Sequence, residues 1–261
     1  MSSKIPWVIG HRGASALLPE NTLESFRLAF GEHAADMIEF DVHLSADGVP
    51  VVIHDETLER TTDGQGPVVD RTLAELQKFD AGFRFDPGGL ASFPCRGKGI
   101  RIPSLEEVLR EFQGRRLAVE IKATDPSLVA KVLQLIKTYG AEKNCIVGSL
   151  EDTVFQNILR ADAPTRVFTS KKAVFRLLAE SFFHPLNPRK TPKLVASLPA
   201  ESRFPDLKKK NWIDWLHRKD IEVYYWTVND PEKMRLLADR KADGIMSDNP
   251  GLIRKSLLQA S

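Results

Sequence analysis

The feature that most constrains this chain is an alternation sustained over nearly its whole length, in which short β-branched runs are separated by longer amphipathic stretches. That is the pattern of a parallel sheet with crossover helices. Extended candidates are WVIGH, MIEFDVHL, VPVVIHD, RLAVEIK, CIVGSL, RVFTS, KLVASL, EVYYWTV and DGIMSD, nine runs where a closed barrel holds eight. Helical candidates fall between them. Asn21 with Glu24, and Ser104 with Glu107, have the spacing of capping boxes. Further helices are expected after Asp125, after Leu150, over KKAVFRLLAESFF, over DLKKKNWIDWLHRK, after Asp230 and after Pro250. No Gly/Ser-rich linker or repeat interrupts the series, so residues 1–261 read as one α/β domain, a (β/α)8 barrel with one strand to spare.

The surplus strand has an explanation in EFDVHLSADGVPVVIHD, from Glu39 to Asp55. Too few residues separate Val42 from Val49 for a parallel crossover, whereas Asp47-Gly48 is a hairpin signal. If those two residues form the loop, Asp41 stands opposite His54, and the chain returns to bring an imidazole beside carboxylates. From there to Pro103 the sequence loosens into TTDGQG, FDPGGL and FPCRGKG, with one short helix candidate at TLAELQKF. An insertion of this size, about 56–103, is expected to act as a lid or substrate-selecting segment over one end of the barrel.

Composition bounds the function. The 261 residues carry 37 basic and 35 acidic side chains, a net charge of +2, so no long-range field argues for nucleic acid as a partner. The two cysteines, Cys95 and Cys145, share no motif, and a reducing compartment is the simpler expectation. No apolar run approaches the roughly 20 residues of a membrane helix. MSSKIPWVIGHRG leaves no room for a secretory leader, so a cytoplasmic location is expected.

The chemistry-bearing residues cluster at strand ends. His11 and Arg12 end the first run, Glu39 and Asp41 share one face of the second by alternation, and Glu120 and Lys122 do the same in LAVEIK, with Phe40 and Ile121 pointing into the helix layer. In a parallel barrel such positions converge on one mouth. Three carboxylates brought together out of water repel unless a cation joins them. An all-oxygen set selects a hard divalent ion, Mg²⁺ or Ca²⁺. His11 and His54 then suit acid–base work on either side of a phosphorus atom, while Arg12 and Lys122 offer donors to phosphate oxygens. The combination points to phosphodiesters.

HRGASALLPENTLESF, EFDVHLSADGVPVVIHDETLERTTDGQG, IPSLEEVL, LAVEIK, WTVND and DGIMSDNP, in this order from about residue 7 to 253, resemble the successive motifs of the glycerophosphodiester phosphodiesterase family. The resemblance implies a TIM-type barrel that hydrolyses glycerophosphodiesters to sn-glycerol 3-phosphate and an alcohol, with one divalent cation, Mg²⁺ or Ca²⁺. It implies catalytic roles for His11 and His54, metal ligation by Glu39, Asp41 and Glu120, and substrate binding by Arg12, Lys122 and Trp226. It also implies that the glycerol 2-hydroxyl attacks phosphorus to give a cyclic phosphate that water then opens.

Two rivals remain at this level. One is a lysophospholipase D acting on lipids; the other is a silent barrel that only binds phosphodiesters. The aromatic and lysine residues of KKAVFRLLAESFF fit either a core-facing helix or a peripheral contact with a membrane surface. Of the remaining polar residues, Asn21 and Asp248 are expected to cap helices and His43 to face away from the carboxylates. Glu20 could reach the mouth but is left without a role. His33, His184 and His217 have no evident partner.

Overall fold

In a computed structural model of the chain, which describes residues 5–162, 164–183, 191, 193–202 and 206–258, the alternation closes on itself. The strands are β1 (Trp7–His11), β2 (Met37–Leu44), β3 (Pro50–Val52), β4 (Arg116–Ile121), β5 (Cys145–Gly148), β6 (Arg166–Phe168), β7 (Leu194–Pro199), β8 (Glu222–Trp226) and β9 (Gly244–Ser247). All but β3 pair in parallel, and β1 joins both β2 and β9, so eight strands form a closed barrel. Between them run α1 (Leu23–Phe30), α2 (Leu73–Leu76), α3 (Leu105–Glu111), α4 (Pro126–Thr138), α5 (Asp152–Arg160), α6 (Lys171–Phe183), α7 (Lys210–Arg218), α8 (Pro231–Asp239) and α9 (Pro250–Leu258). This is the TIM-type (β/α)8 architecture.

Side-chain alternation builds two concentric cores. Each barrel strand contributes to the lumen: Ile9, Met37, Ala118, Ile146, Phe168, Val195, Tyr224 and Met246 pack together there, with Trp7 and Trp226 against them. The intervening positions, Val8, Ile38, Phe40, Val119 and Ile121 among them, pack outward against the helices. Burial of this order, at about 25 cal/mol per Å² of apolar surface, is what holds the layers. On α6 only Ala173, Val174 and Leu177 are buried; Phe175, Phe182 and Phe183 are exposed, so the helix is not wholly core-facing. His184 lies outside the described residues.

Caps fix where several helices begin. Ser104 and Glu107 form the expected reciprocal box on α3, and Thr72 with Glu75 forms a second one on α2. Asp125 and Asp230 cap α4 and α8, each followed by proline at the first helical position. Asn21 departs from expectation, because Thr22 caps α1 by accepting from the Ser25 amide. Asn21 has a positive φ of 58° and turns its side chain elsewhere.

β3 is the surplus strand, antiparallel to β2, with Val42 opposite Val52 and Leu44 opposite Pro50. It occupies the stretch of β2 beyond Glu39, the last β2 residue paired with β1. The register differs from expectation by one. Ser45 donates its amide to the Val49 carbonyl at 3.0 Å, leaving a three-residue loop, Ala46-Asp47-Gly48, with Gly48 at a φ of 73°. Ile53, not His54, therefore faces Asp41, its amide donating to the Asp41 carbonyl at 3.1 Å. His54 follows the end of the ladder, where the chain bends, and the bend rather than strand pairing brings it to the mouth. Residues 56–103 then form a compact excursion whose Leu58, Val68, Leu76, Ala81, Cys95, Ile100 and Ile102 pack with Val51 and Ile53 in a small core of their own.

Candidate active site at the barrel mouth

Glu39, Asp41 and Glu120 converge at the C-terminal end of the barrel, each offering a carboxylate oxygen within 4.8 Å of the others. Register explains it: Asp41 and Glu120 are direct partners across β2 and β4, and Glu39 precedes Asp41 on the same face. Glu39 and Asp41 are 5% and 1% exposed. Burial, and after it the charge of Asp41, pushes the Glu39 carboxyl well above the usual carboxylate range, and the same two causes raise Glu120. Burial would raise Asp41 too, but Lys122 and Arg12 beside it hold it below its ordinary value. Lys122 Nζ stands 3.2 Å from Asp41 Oδ1 and 3.1 Å from Glu120 Oε1. One ammonium thus serves two of the three carboxylates and leaves Glu39 short of a counter-charge. An all-oxygen set with an uncompensated buried carboxyl fits a hard divalent cation.

Asn21 is part of this cluster. Its Nδ2 donates to Asp41 Oδ2 at 3.0 Å, and its Oδ1 accepts from the Asp41 amide at 3.3 Å. The left-handed backbone that removed it from the capping position aims its amide at the carboxylate instead.

Two imidazoles flank the carboxylates, each held at Nδ1 by its own aspartate. His11 Nδ1 is 2.7 Å from Asp248 Oδ1, and His54 Nδ1 is 2.5 Å from Asp55 Oδ1. A carboxylate on Nδ1 fixes the tautomer and leaves Nε2 for a substrate. Burial alone would lower the pKa of His11, but the hydrogen bond to Asp248 and the charge of Glu39 outweigh it and raise it. Asp248, expected to cap the last helix, lies two residues before Pro250, where α9 begins, and turns its carboxylate to His11. It also accepts from Ser15 Oγ at 3.0 Å and from Asn229 Nδ2 at 2.6 Å, and its pKa falls to about 2, burial being outweighed by the His11 contact. His43 likewise departs from expectation: it shares the Asp41 face of β2, and its Nε2 lies 3.0 Å from the His54 carbonyl, supporting the bend that carries His54.

Arg12 has a positive φ of 54° and is followed by Gly13 at 89°, a turn that aims its guanidinium across the mouth. Its Nε stands 3.3 Å from Asp41 Oδ2 and its Nη1 2.8 Å from Glu20 Oε1. Nε is buried and makes no hydrogen bond of good geometry among the described residues, so Asp41 meets it as a charge rather than as an aligned acceptor. The cleft between these groups has a volume of about 100 Å³ and opens to solvent. Leu150, Phe168, Trp226 and Met246 also line it, with Ser149, Thr169 and Ser197. Trp226 is thus at once a lumen-packing residue and a wall of the mouth.

All eight residues singled out by sequence line this mouth or touch it. The supports are what sequence reasoning missed: Asp55, Asn229 and Ser15 were passed over, Asp248 was expected only as a cap, and Glu20 was left without a role. Asp55 follows His54 directly, and Asn229 and Asp248 lie within WTVND and DGIMSDNP, so the motifs held the signal without the pairing.

A closed parallel barrel with buried carboxylates between two carboxylate-backed imidazoles and an arginine defines a class, the barrel phosphodiesterases with a polar, cation-compatible mouth. A model of the glycerophosphoryl diester phosphodiesterase family matches residues 11–252, and the chain belongs to that family. It is similar to a glycerophosphodiester phosphodiesterase of Caldanaerobacter subterraneus, 32% identical over 95% of this chain and 98% of the relative. It is also similar to human lysophospholipase D, 27% identical over 95% of this chain and 85% of the relative. Among solved structures, an Oleispira antarctica phosphodiesterase in complex with the product sn-glycerol-3-phosphate superposes with a TM-score of 0.76, at 26% identity and 97% coverage of each chain. As a member of this family the chain is an enzyme, a hydrolase of phosphoric diesters.

Proposed function

We propose that the enzyme hydrolyses glycerophosphodiesters to sn-glycerol 3-phosphate and an alcohol, using one divalent cation, Mg²⁺ or Ca²⁺, held by Glu39, Asp41 and Glu120. The observation that carries this reading is the pair of imidazoles, each tied at Nδ1 to a carboxylate, on either side of the acidic cluster. The cation supplies positive charge that draws electrons from the phosphodiester and eases ionisation of the attacking hydroxyl. Arg12 and Lys122 bind the phosphate oxygens, and Trp226 walls the glycerol end.

His11 and His54 move the protons. One accepts the proton of the glycerol 2-hydroxyl at Nε2 as that oxygen attacks phosphorus. The other gives its Nε2 proton to the departing alcohol oxygen, so the phosphorus–oxygen bond breaks without releasing an alkoxide. The cyclic phosphate so formed is opened by water with the two roles exchanged. Asp248 and Asp55 keep each ring in register for its transfer. Residues 56–103 belong to this single catalytic domain and cover the rim beside His54.

A second reading, lysophospholipase D action, is favoured by the apolar wall of Leu150, Phe168, Trp226 and Met246 and by the human relative. The first is supported by the polar groups gathered at the mouth, His11, Arg12, Glu39, His54, Glu120 and Lys122, which suit a small charged diester. Turnover of glycerophosphocholine against lysophosphatidylcholine, each with Mg²⁺, Ca²⁺ and chelator, separates them. Preference for glycerophosphocholine supports the main reading, preference for the lipid the second, and no turnover of either overturns both.

A further inference from the structure

The excursion at residues 56–103 sends one side chain back to the mouth. Arg60 Nε donates to Asp55 Oδ2 at 2.5 Å and Nη2 to Asp55 Oδ1 at 3.2 Å. The same guanidinium donates through Nη1 and Nη2 to the two oxygens of Glu20, both at 2.7 Å. Neither acceptor is idle. Asp55 holds His54 Nδ1, and Glu20 holds Arg12 Nη1 at 2.8 Å. One planar fork therefore closes a chain, His54–Asp55–Arg60–Glu20–Arg12, running from an imidazole on one side of the acidic cluster to the arginine on the other.

Resting on the function proposed above, we infer that Arg60 is a positioning residue, setting His54 through Asp55 and Arg12 through Glu20. The guanidinium suits the task because it meets two carboxylates in one plane with fixed angles, which an ammonium does not. Its side chain is 47% exposed, and ion pairs of that exposure contribute little to stability. The chain of contacts, rather than the energy of any one, is what Arg60 provides. It also makes the excursion a working part of the site, since moving residues 56–103 moves Arg60 and with it both ends.

The test compares Arg60→Ala and Arg60→Lys with wild type, alone and combined with Asp55→Asn or Glu20→Gln. Arg60→Ala is expected to lower kcat on glycerophosphocholine at least tenfold and to weaken binding of sn-glycerol 3-phosphate severalfold, with the melting temperature within a few degrees of wild type. Arg60→Lys should recover part of each. In the Asp55→Asn background, Arg60→Ala should cost little further kcat, and in the Glu20→Gln background little further affinity, because each route is already cut. The hydrogen-bonded Nδ1 proton of His54, identified in the NMR spectrum by its loss in His54→Ala, should broaden or shift in Arg60→Ala. That signal and product binding are read without turnover, so an inactive wild type would refute the proposed function while still judging Arg60. Wild-type kcat, product affinity and His54 proton signal in Arg60→Ala would overturn the inference, as would losses that add fully to those of Asp55→Asn and Glu20→Gln.

Discussion

His11 Nδ1 and Asp248 Oδ1 meet at 2.7 Å although 237 positions separate them, because β1 and β9 are neighbours across the seam of the closed barrel. Closure of the barrel is therefore also what pairs this histidine with its carboxylate. Asp248→Asn keeps the size of the side chain but removes the charge that favours a proton on Nδ1. The expected outcome is a fall in kcat of about 100-fold or more, of the size general acid–base catalysis contributes, with the circular dichroism spectrum unchanged. Steady-state kinetics on glycerophosphocholine checks it.

On the function proposed above, the buried carboxylates would bind a cation whether or not substrate is present. At a free cation concentration 100 times Kd, binding to the folded state alone adds about 2.7 kcal/mol, a rise of several degrees in melting temperature for a chain of this length. Glu39→Gln removes the carboxylate with least counter-charge and should weaken the cation at least about tenfold, read by isothermal calorimetry. A melting temperature indifferent to Mg²⁺ and Ca²⁺ in the wild type would contradict the assignment.

Protonation opposes the same event. In the cation-free protein the Glu39 carboxyl is raised to about 8 by burial and by Asp41, so between the ordinary carboxylate range and about pH 8 the folded state holds a proton the unfolded chain has lost. Stability must then fall as pH rises through that window. His11, also raised, acts in the same direction, its contribution being present below its unfolded pKa and lost as pH rises through the folded one. His43, lowered by burial, acts oppositely near its ordinary value. Cation-free melting temperatures are expected to decline from pH 5 to pH 8, and saturating Mg²⁺ to flatten the decline. A rise over that range without cation would count against the electrostatic account.

Gly13 carries the turn that presents Arg12. At a φ of 89° a Cβ there would be strained, and it would collide with Ser25 Oγ and come within 2.9 Å of Phe26 Cδ1. Gly13→Ala should cost on the order of 1–3 kcal/mol from backbone strain alone. Because the turn aims Arg12, affinity for sn-glycerol 3-phosphate should fall beyond what the lost stability explains, measured at a temperature where the variant is fully folded.

How much of this was legible beforehand follows from the range over which each signal acts. β1 and β2 match their sequence runs residue for residue, since alternation is local and strong. Glu39, Asp41, Glu120 and Lys122 were legible for the same reason: parity on two strands set their faces. The hairpin register was not, because whether Asp47-Gly48 makes a two- or a three-residue loop depends on Ser45, whose Oγ bonds Asp47 Oδ1 at 2.6 Å and accepts the Val49 amide at 2.9 Å. Asp248 and Asn21 look like caps in one dimension, and only the closed barrel turns them toward His11 and Asp41. Arg60 and Glu20 are 40 positions apart on irregular segments, where no periodicity says which way a side chain turns.

On the proposed function, the acidic cluster and its flanking imidazoles break glycerophosphodiesters with the help of a divalent cation. The most direct measurement follows glycerophosphocholine by ³¹P NMR with enzyme stripped by chelator, then with Mg²⁺ or Ca²⁺ restored, beside His11→Ala and Glu39→Gln. The account predicts sn-glycerol 3-phosphate from wild type only when cation is present, and turnover reduced by at least about 100-fold in His11→Ala. Undiminished turnover in chelator, or in His11→Ala, would contradict it.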